Sequence, residues 1–366
     1  CSSDLYIPLI YAQGYRGKVH ASAATCDLCN ILLPDSGHIQ EEDAEFLNRH
    51  GYSKHEPALP LYDKHQAIQS LGLLKPESMG KPFSPIAGWK VTLSSAGHIL
   101  GASSVLVEVA GRRILFSGDL GRPSHPLLVP PHAPSNADAV VIESTYGDRV
   151  HEDVAKGLTE LAEAITRTLA RSGTVVIPAF AVDRTEVLLK ALRDLQDQQR
   201  IPVAQIFVDS PMALATLKIY TDAIDANEPE FRSDILARGS DLLELPNLHA
   251  ARTPQESMEL DRGGPHIIVS ASGMASGGRV VHHLKALLPD TRNTVILVGF
   301  QAQGTLGRIL ADGVPQVKIH GQYVKVRADV ISIPVFSVHG DSDELMAWLK
   351  SAGQVPTNVF VVHGEV

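Results

Sequence analysis

The sequence predicts an α/β fold in two parts, and three observations lead to this prediction. From Trp89 onward, three apolar strands follow one another, each ending at a glycine-containing turn, which predicts a sheet and not a helical bundle. From Thr174 onward, strand and helix alternate, which is typical of βαβ units and a parallel sheet. With 366 residues, 44% of them hydrophobic and 20% charged, the chain can bury a large core and divide into roughly two domains.

The N-terminal part is predicted to begin with local elements. Residues Leu5 to His20 have the pattern of an amphipathic helix, a turn from Gly14 to Gly17 and the start of a short strand. Helical periodicity returns from Thr25 to Leu33, and the polar stretch from Asp35 to Pro57 is expected to cross the surface. The three strands that follow are contained in the segments WKVTLSSAGHILG, SSVLVEVAG and RRILFSGDLG.

The alternation in the second part sets the remaining elements. A strand at Ala139 to Ile142 precedes a helix from about Val154 to Arg171. A helix from Glu186 to Leu195 then lies between two strands. The strands predicted from here onward are Thr174 to Ala179, Gln205 to Val208, His266 to Ser270, Thr294 to Gly299, Val330 to Phe336 and Val359 to Val362.

Composition excludes several classes of protein. A formal net charge of -9 gives no global basic field, so contact with nucleic acid would need a local patch or bound cations. Three cysteines cannot form a disulfide framework in a chain of this length, which favours a reducing cytoplasm. The Cys26-x-x-Cys29 pair suits one face of a helix better than half of a zinc site, because the sequence contains no second pair. No apolar run approaches the ~20 residues that span a bilayer.

Ionisable residues follow several of the apolar strands directly. They are His98, Asp119, Glu143, His339 and His363. Loops at strand ends converge on the active site in layered α/β folds, and histidine with carboxylate suggests zinc. A carboxylate has two oxygens, so Asp119 could bridge two ions, with one imidazole for each. The chain has 16 histidines, however, and any one of these residues taken alone is more often structural.

The order of these segments resembles the β-CASP family of the metallo-β-lactamase superfamily. The segments that carry the resemblance are GHILGAS, LFSGDLGR, VVIESTYGDR, FSVHGDSDE and VVHGE. Connecting segments such as IPAFAVDRTEVLLKAL and IIVSASGMASGGRVVHHL are similar to the family's landmarks as well. The resemblance implies a metallo-β-lactamase αββα sandwich with an inserted β-CASP α/β domain built on a mostly parallel sheet. The expected domains are residues 1–148, 149–336 and 337–366, the last returning to the first domain.

The resemblance also implies roles for individual residues. His98 is similar to a ligand of one zinc ion, Asp119 to the bridging carboxylate and His363 to the histidine ligand of a second zinc ion. His339 corresponds to the family's general acid, which suits an imidazole because it titrates near neutral pH, and Glu143 to its acidic partner. The family's HxHxDH segment, which supplies the other ligands, would precede Cys1 and is absent from the sequence. The chain is therefore expected to be N-terminally truncated and inactive alone.

Two further features bear on the substrate. The RNA-processing branch of the family carries histidine where His363 stands, and the DNA-repair branch typically carries valine, so the resemblance favours RNA. The glycine-rich run from Ser270 to Arg279 opens a helix, and its backbone N–H groups with an arginine suit a phosphate. Ser272, Gly273 and Arg279 are the candidate substrate-binding residues, although such turns are often purely structural.

The preferred hypothesis is a zinc-dependent ribonuclease of RNA processing or decay, located in the cytoplasm, with RNA as its partner and no membrane. A homodimer is left open. The alternatives are a non-catalytic scaffold of an RNA-processing assembly, a DNA-directed nuclease of the same family and a small-molecule hydrolase of the lactamase fold. Survival of five site positions disfavours the scaffold, His363 disfavours the DNA nuclease, and the long insertion after Asp148 disfavours the small-molecule enzyme.

Overall fold

The chain divides into two compact units that each contain more than one stretch of sequence. The computed structural model describes residues 4–51 and 54–364. The first unit holds residues up to Leu120, Pro131–Ser144 and residues from Met346 onward, and the second holds Gly121–Pro130 and Thr145–Leu345. The observed units differ from the expected domain bounds in placing residues 121–130, 145–148 and 337–345 with the second unit, and the assignment of these units to named domains stays a prediction.

Strands and helices alternate over most of the chain. The strands are β1 Val19–Ser22, β2 Leu74–Glu77, β3 Trp89–Ser95, β4 Ser103–Val109, β5 Arg112–Phe116, β6 Ala139–Glu143, β7 Val175–Pro178, β8 Gln205–Val208, β9 Leu248–Ala250, β10 His266–Ser270, β11 Thr294–Leu297, β12 Gln316–Ile319, β13 Gln322–Lys325, β14 Asp329–Ser332 and β15 Asn358–Val362. The α-helices are α1 Ile7–Ala12, α2 Ala23–His50, α3 Lys64–Ser70, α4 Val154–Ala170, α5 Arg184–Asp197, α6 Pro211–Asp225, α7 Ser233–Arg238, α8 Pro254–Leu260, α9 Arg279–Leu287, α10 Leu306–Ala311 and α11 Ser342–Lys350. Short 3-10 helices cover Asp4–Tyr6, Leu71–Leu73, Ser240–Leu242 and Pro334–Phe336.

Helices α1, α2 and α3 enclose a small apolar core in the first unit. Its buried members are Ile7, Cys29, Leu33, Tyr62, Ala67 and Leu73. Cys26 is buried on the same helix as Cys29, and both are free thiols, so the helical interpretation of the Cys-x-x-Cys pair is confirmed. None of the helices in the described residues is long and apolar enough to span a membrane.

Many side chains in the polar stretch from Asp35 onward are exposed, as expected, but its helical conformation was not predicted. Helix α2 runs through it to His50, with Pro34 inside the helix. Ser22 caps its first turn by accepting a hydrogen bond from the Thr25 N–H, and Gly51 ends it in the left-handed region at φ 64°. The hydroxyl groups of Ser36 and Tyr62 lie 2.8 Å apart, so the polar half of α2 is held by a contact that sequence periodicity does not reveal.

Five strands of the first unit form a mixed sheet in the order β15-β6-β5-β4-β3. Strands β3, β4 and β5 are antiparallel neighbours, as expected for three consecutive strands. Strand β6 pairs in parallel with β5 on one side and with β15 on the other. The carboxyl ends of β5, β6 and β15 therefore lie at one edge of the sheet.

Six strands of the second unit form an entirely parallel sheet in the order β14-β11-β7-β10-β8-β9. Helix α4 precedes its first strand and helices α5 to α10 lie between its strands in sequence, so the prediction of an α/β fold with a parallel sheet is confirmed. Strands β7 and β11 are buried along their whole length, which explains why all their residues except Thr294 are apolar. The strand expected from Val330 to Phe336 instead ends at Ser332, because Pro334 begins a 3-10 helix there.

A buried charged network ties α9 to the end of β8. The imidazole of His283 lies 2.6 Å from both Asp209 and Asp261, and Arg279 donates to Asp209 at 2.6 Å. Burial alone would lower the pKa of His283, but hydrogen bonds with the two carboxylates raise it to about 9. The protonated ring therefore joins two acidic side chains. Without the imidazole, the negative charge of Asp209, whose side chain is 0% exposed, would lose one of its two positively charged partners.

We predict that His283→Gln destabilises the protein at about pH 6 by about 3–5 kcal/mol, the typical cost of breaking a buried ion pair. Because the folded pKa of about 9 exceeds the ordinary value of 6.5, this stabilisation is complete below pH 6.5 and is lost as the pH rises toward 9. Urea unfolding of both proteins at about pH 6 and about pH 10 measures it. His282→Gln, on the exposed neighbour, is the control. An equal destabilisation by His283→Gln at both pH values would contradict the assignment of a charged imidazole.

Candidate active site

The candidate ligands of the first unit lie at one edge of its sheet. Asp119 follows β5, Glu143 is the last residue of β6 and His363 follows β15, and these strands are parallel neighbours. His98 lies in the turn between β3 and β4. The pair of residues next to this turn is Ser95 with Ser103, and it lies at the same edge of the sheet as the ends of β5, β6 and β15. Parallel strand pairing therefore brings together residues that are far apart in sequence.

The turn before Asp119 is tight and requires glycine. Gly118 has φ +60°, and a Cβ atom there would lie 2.6 Å from the carbonyl oxygen of Ser103 on the neighbouring strand β4. No larger residue could approach that carbonyl without moving one strand. The close approach directs Asp119 toward the turn that holds His98, and one ligand atom from each of these two residues lies within 4.8 Å of the other.

Asp119 is also close to a second set of ligand atoms. One atom each from Asp119, Glu143 and His363 lie within 4.8 Å of one another, and Nδ1 of His363 is 3.2 Å from Oδ1 of Asp119. His363 is 49% exposed, whereas His98 is 9% exposed, so the two imidazoles differ in their access to solvent. Of the three ligands predicted from sequence, Asp119 is the one near both histidines.

Glu143 supports the turn that carries Asp119. Its carboxylate oxygen Oε1 accepts a hydrogen bond of 2.6 Å from the backbone N–H of Leu120, the residue after Asp119. The backbone N–H of Glu143 in turn donates to Oγ of Ser117 at 3.0 Å. Glu143 is only 2% exposed. Its hydrogen bond with Leu120 stabilises the turn, which its predicted role as the partner of His339 did not include. That role stays a prediction.

The donor set suits a divalent transition metal. Imidazole nitrogen and carboxylate oxygen are the ligands zinc takes in hydrolytic sites, and a carboxylate with two oxygens can serve two ions. Asp119 lies within 4.8 Å of a ligand atom of His98 and, separately, within 4.8 Å of a ligand atom of His363. Two ions that share one carboxylate would need such a position. The chemical character of these residues therefore fits a metal centre at this sheet edge.

His339 belongs to the second unit and lies in a segment with several backbone contacts. Residue 339 forms an isolated antiparallel bridge with Gly121, and the N–H of Arg122 donates to the carbonyl of Val338 at 3.0 Å. The imidazole of His339 stacks on the ring of Tyr146, with centroids 6.3 Å apart and planes 22° apart. The imidazole therefore has a defined support within its own unit.

The sequence did not indicate that His151 holds His339. Its Nε2 lies 2.8 Å from the backbone carbonyl oxygen of His339, and its ring tilts against Tyr146 with centroids 4.8 Å apart. Because a carbonyl oxygen can only accept, Nε2 of His151 is the donor in this contact, and burial lowers the pKa of the imidazole. One histidine among 16 gives no such signal in sequence, because its partner is a backbone atom 188 positions away.

A third group of ligand-type atoms has a structural explanation. His151, Asp341 and Glu344 lie within 4.8 Å of one another, all in the second unit. The Asp341 carboxylate accepts from the backbone N–H groups of His151 and Glu344, each at 3.0 Å. Glu344 accepts from the N–H of Asp341 at 3.0 Å, which completes a reciprocal cap at the start of α11. These carboxylates hold the chain beside His339 in place.

The glycine-rich segment is partly engaged in structural contacts. Nη1 of Arg279 bonds to Asp209 and to the carbonyl of Ala251 at 2.9 Å, and Nη2 bonds to the carbonyl of Arg252 at 3.1 Å. Gly273 packs on the ring of Phe180, where a Cβ atom would lie 2.8 Å from a ring carbon, and Ser272 beside it is half-buried. Binding of a phosphate by Ser272, Gly273 and Arg279 stays a prediction.

Known proteins are similar in sequence to this chain over nearly its whole length. The Beta-Casp domain matches residues 185–310, and the Zn-dependent metallo-hydrolase RNA specificity domain matches residues 323–366. Ribonuclease TTHA0252 from Thermus thermophilus is 34% identical over 360 residues, which are 98% of this chain and 78% of that protein. The RNase J-like protein from Methanocaldococcus jannaschii is 30% identical over 351 residues, which are 95% and 76% of the two chains. Transcription termination factor FttA from Methanothermobacter thermautotrophicus is 28% identical over 375 residues, which are 98% and 56% of the two chains.

The chain therefore belongs to the β-CASP family of metallo-β-lactamase-type nucleases, as its motifs indicated. The matched Beta-Casp residues all lie within the second unit.

We predict that Asp119→Ala in the full-length protein lowers zinc affinity at least tenfold, because Asp119 lies near both imidazoles and even indirect ligand supports contribute 10–100-fold. Glu143→Gln should retain zinc, since the amide oxygen can still accept from Leu120. Metal content after dialysis, measured by plasma mass spectrometry, tests both variants. The control is Glu108→Ala, which removes a half-buried carboxylate that pairs with Lys90 in the same unit. Normal zinc content in Asp119→Ala would remove Asp119 from the ligand set.

Proposed function

We propose that this protein is a zinc-dependent ribonuclease that hydrolyses phosphodiester bonds of RNA during processing or decay. The observation that carries the proposal is the position of Asp119. One of its carboxylate oxygens lies within 4.8 Å of one imidazole nitrogen of His98, and Asp119 also belongs to a group with Glu143 and His363. Two zinc ions held there would activate a water molecule and bind the scissile phosphate. Asp119, His98 and His363 are the residues of this chain that we propose as ligands.

His339 is proposed as the general acid of this reaction. An imidazole near neutral pH can protonate the oxygen that leaves phosphorus, and this contribution is typically worth 10²–10⁴-fold in rate. Two contacts support a fixed orientation, since the ring stacks on Tyr146 and the backbone carbonyl accepts from His151. Glu143 is proposed as its acidic partner, in addition to its hydrogen bond to Leu120.

RNA is the proposed substrate for two reasons. Two of the relatives are named as ribonucleases or ribonuclease-like, at 34% and 30% identity. The histidine at His363, where the DNA-repair branch typically carries valine, points the same way. Because the formal net charge is -9, we propose that local groups and bound cations, and not a general basic surface, attract the RNA.

Several finer proposals complete this function. The first unit is proposed to form the αββα sandwich of a metallo-β-lactamase domain, and the second its inserted β-CASP domain. The 366 residues carry three of the proposed zinc ligands, so we propose that they hydrolyse RNA only when an HxHxDH segment supplies the rest. We also propose a cytoplasmic location and a homodimer. Analytical ultracentrifugation tests whether the protein is a dimer.

We predict that His339→Ala in the full-length enzyme lowers kcat for cleavage of single-stranded RNA by about 10²–10⁴-fold, because the leaving oxygen loses its proton donor. Zinc content should be unchanged, since an acid is removed and a ligand is not. Single-turnover cleavage and metal analysis measure the two effects. His65→Ala, at an exposed histidine, should leave both unchanged. Loss of zinc together with activity would make the assignment of His339 wrong.

We predict a smaller effect for His151→Phe, which keeps an aromatic ring beside Tyr146 and removes the hydrogen bond to the carbonyl of His339. One such bond contributes about 0.5–1.5 kcal/mol, so kcat should fall about two- to tenfold with KM unchanged. His151→Gln, whose amide can donate to the same carbonyl, should recover part of the rate. Equal kcat in wild type and His151→Phe would show that this contact does not position the acid.

A further inference from the structure

Two phenylalanine residues leave neighbouring strands at the same edge of the six-stranded sheet. Phe180 follows β7 and Phe300 follows β11, and these strands are parallel partners with Thr294 opposite Val175. Phe180 is 41% exposed and Phe300 is half-buried. Single exposed apolar residues are common on proteins, so their exposure alone means little. The way in which both are held distinguishes them.

Phe180 is fixed by its backbone and by a glycine. Its carbonyl accepts a hydrogen bond of 2.9 Å from Oγ1 of Thr185, in the first turn of α5. The backbone of Gly273 packs on the ring so closely that a Cβ atom would lie 2.8 Å from Cδ2 and 3.0 Å from Cε2. The ring is therefore supported from the protein side and remains open to solvent, instead of turning inward to the core.

The segment that carries Phe300 is tied to the same glycine. The buried side chain of Gln301 donates from Nε2 to the carbonyl of Gly273 and to the carbonyl of Gly299, each at 3.1 Å. The residues on both sides of Phe300 are therefore anchored to the loop on which Phe180 rests. The two rings are preorganised relative to each other, so little conformational entropy would be lost when a flat ligand binds to them.

A cation and the proposed acid adjoin the same residues. The guanidinium carbon of Arg149 lies 5.9 Å from the ring centre of Phe300 and 5.6 Å from that of Tyr146. Tyr146 contacts Phe300 edge-on, with centroids 6.3 Å apart, and stacks on His339. A continuous row of rings therefore joins Phe300 to the imidazole that we propose as general acid, with one arginine beside it.

We infer that Phe180 and Phe300 form a stacking platform for unpaired bases of single-stranded RNA, with Arg149 as the cation beside it. The inference rests on the proposed function, because it assigns the substrate of that same site. Aromatic side chains bind single-stranded RNA by stacking on its bases, and each such base contributes about five- to 150-fold in affinity. The platform would select unpaired over paired RNA, since bases in a helix do not present their faces.

The test compares two RNA ligands of equal length, an oligoadenosine and an abasic strand with the same ribose–phosphate backbone. Binding is measured by fluorescence anisotropy in full-length, zinc-loaded protein that carries His339→Ala, so that the RNA is not cut. We expect oligoadenosine to bind more tightly than the abasic strand. Phe180→Ala should weaken oligoadenosine binding about five- to 150-fold and change abasic binding by less than about twofold.

Two further variants separate stacking from folding and from apolar bulk. Phe180→Leu keeps an apolar side chain without a flat ring face and should behave like Phe180→Ala, whereas Phe180→Tyr should bind like wild type. Tyr323→Ala, which removes a 72% exposed aromatic side chain from the same unit, should have no effect. Unchanged thermal midpoints would show that the variants fold.

The outcomes are distinct. Tight binding of both RNA strands with no preference for bases, unchanged in Phe180→Ala, would overturn the stacking platform and leave the proposed ribonuclease intact. Failure of the otherwise unmodified protein to bind or cleave any RNA would overturn the proposed function and the platform with it. Equal weakening of both strands by Phe180→Ala would also overturn the platform, because it would mean that the variant disturbs backbone contacts and not stacking.

Discussion

The proposed site depends on one constraint, the parallel pairing of β5, β6 and β15. This pairing brings the ends of three strands to one edge, and with them a carboxylate after β5, a carboxylate at the end of β6 and an imidazole after β15. The close approach of Gly118 to Ser103 then turns Asp119 toward His98. Without this register the same side chains would lie too far apart to bind the same metal ions.

Further hydrogen bonds fix the backbone next to the proposed site residues. Glu143 holds the N–H after Asp119, and His151 holds the carbonyl of His339. The reciprocal cap between Asp341 and Glu344 fixes the chain just after His339. A hydrolytic site works only if its groups are positioned before the substrate arrives, since reorganisation would add to the barrier. These polar contacts, of which the bond from Leu120 to Glu143 is fully buried, supply that positioning within each unit.

Much of the fold was predictable from the sequence because apolar runs and glycine turns are local signals. Strands such as His266–Ser270 and Gln205–Val208 were predicted with the bounds that the structure gives. The ionisable residues at strand ends were predictable for the same reason, and the family resemblance added their roles. The polar half of α2 was not, since its stability depends on contacts such as that of Ser36 with Tyr62. The contact of His151 with His339 and that of Arg279 with Ala251 were not predictable either, because both involve backbone carbonyls, which every residue has.

We propose that two metal ions share Asp119. The most direct measurement is anomalous X-ray scattering at the zinc absorption edge from crystals of the full-length, zinc-loaded protein. We expect two anomalous peaks, one bound by His98 and one by His363, with a carboxylate oxygen of Asp119 within bonding distance of each. A zinc ion bound elsewhere, or two peaks with Asp119 bound to neither, would contradict it.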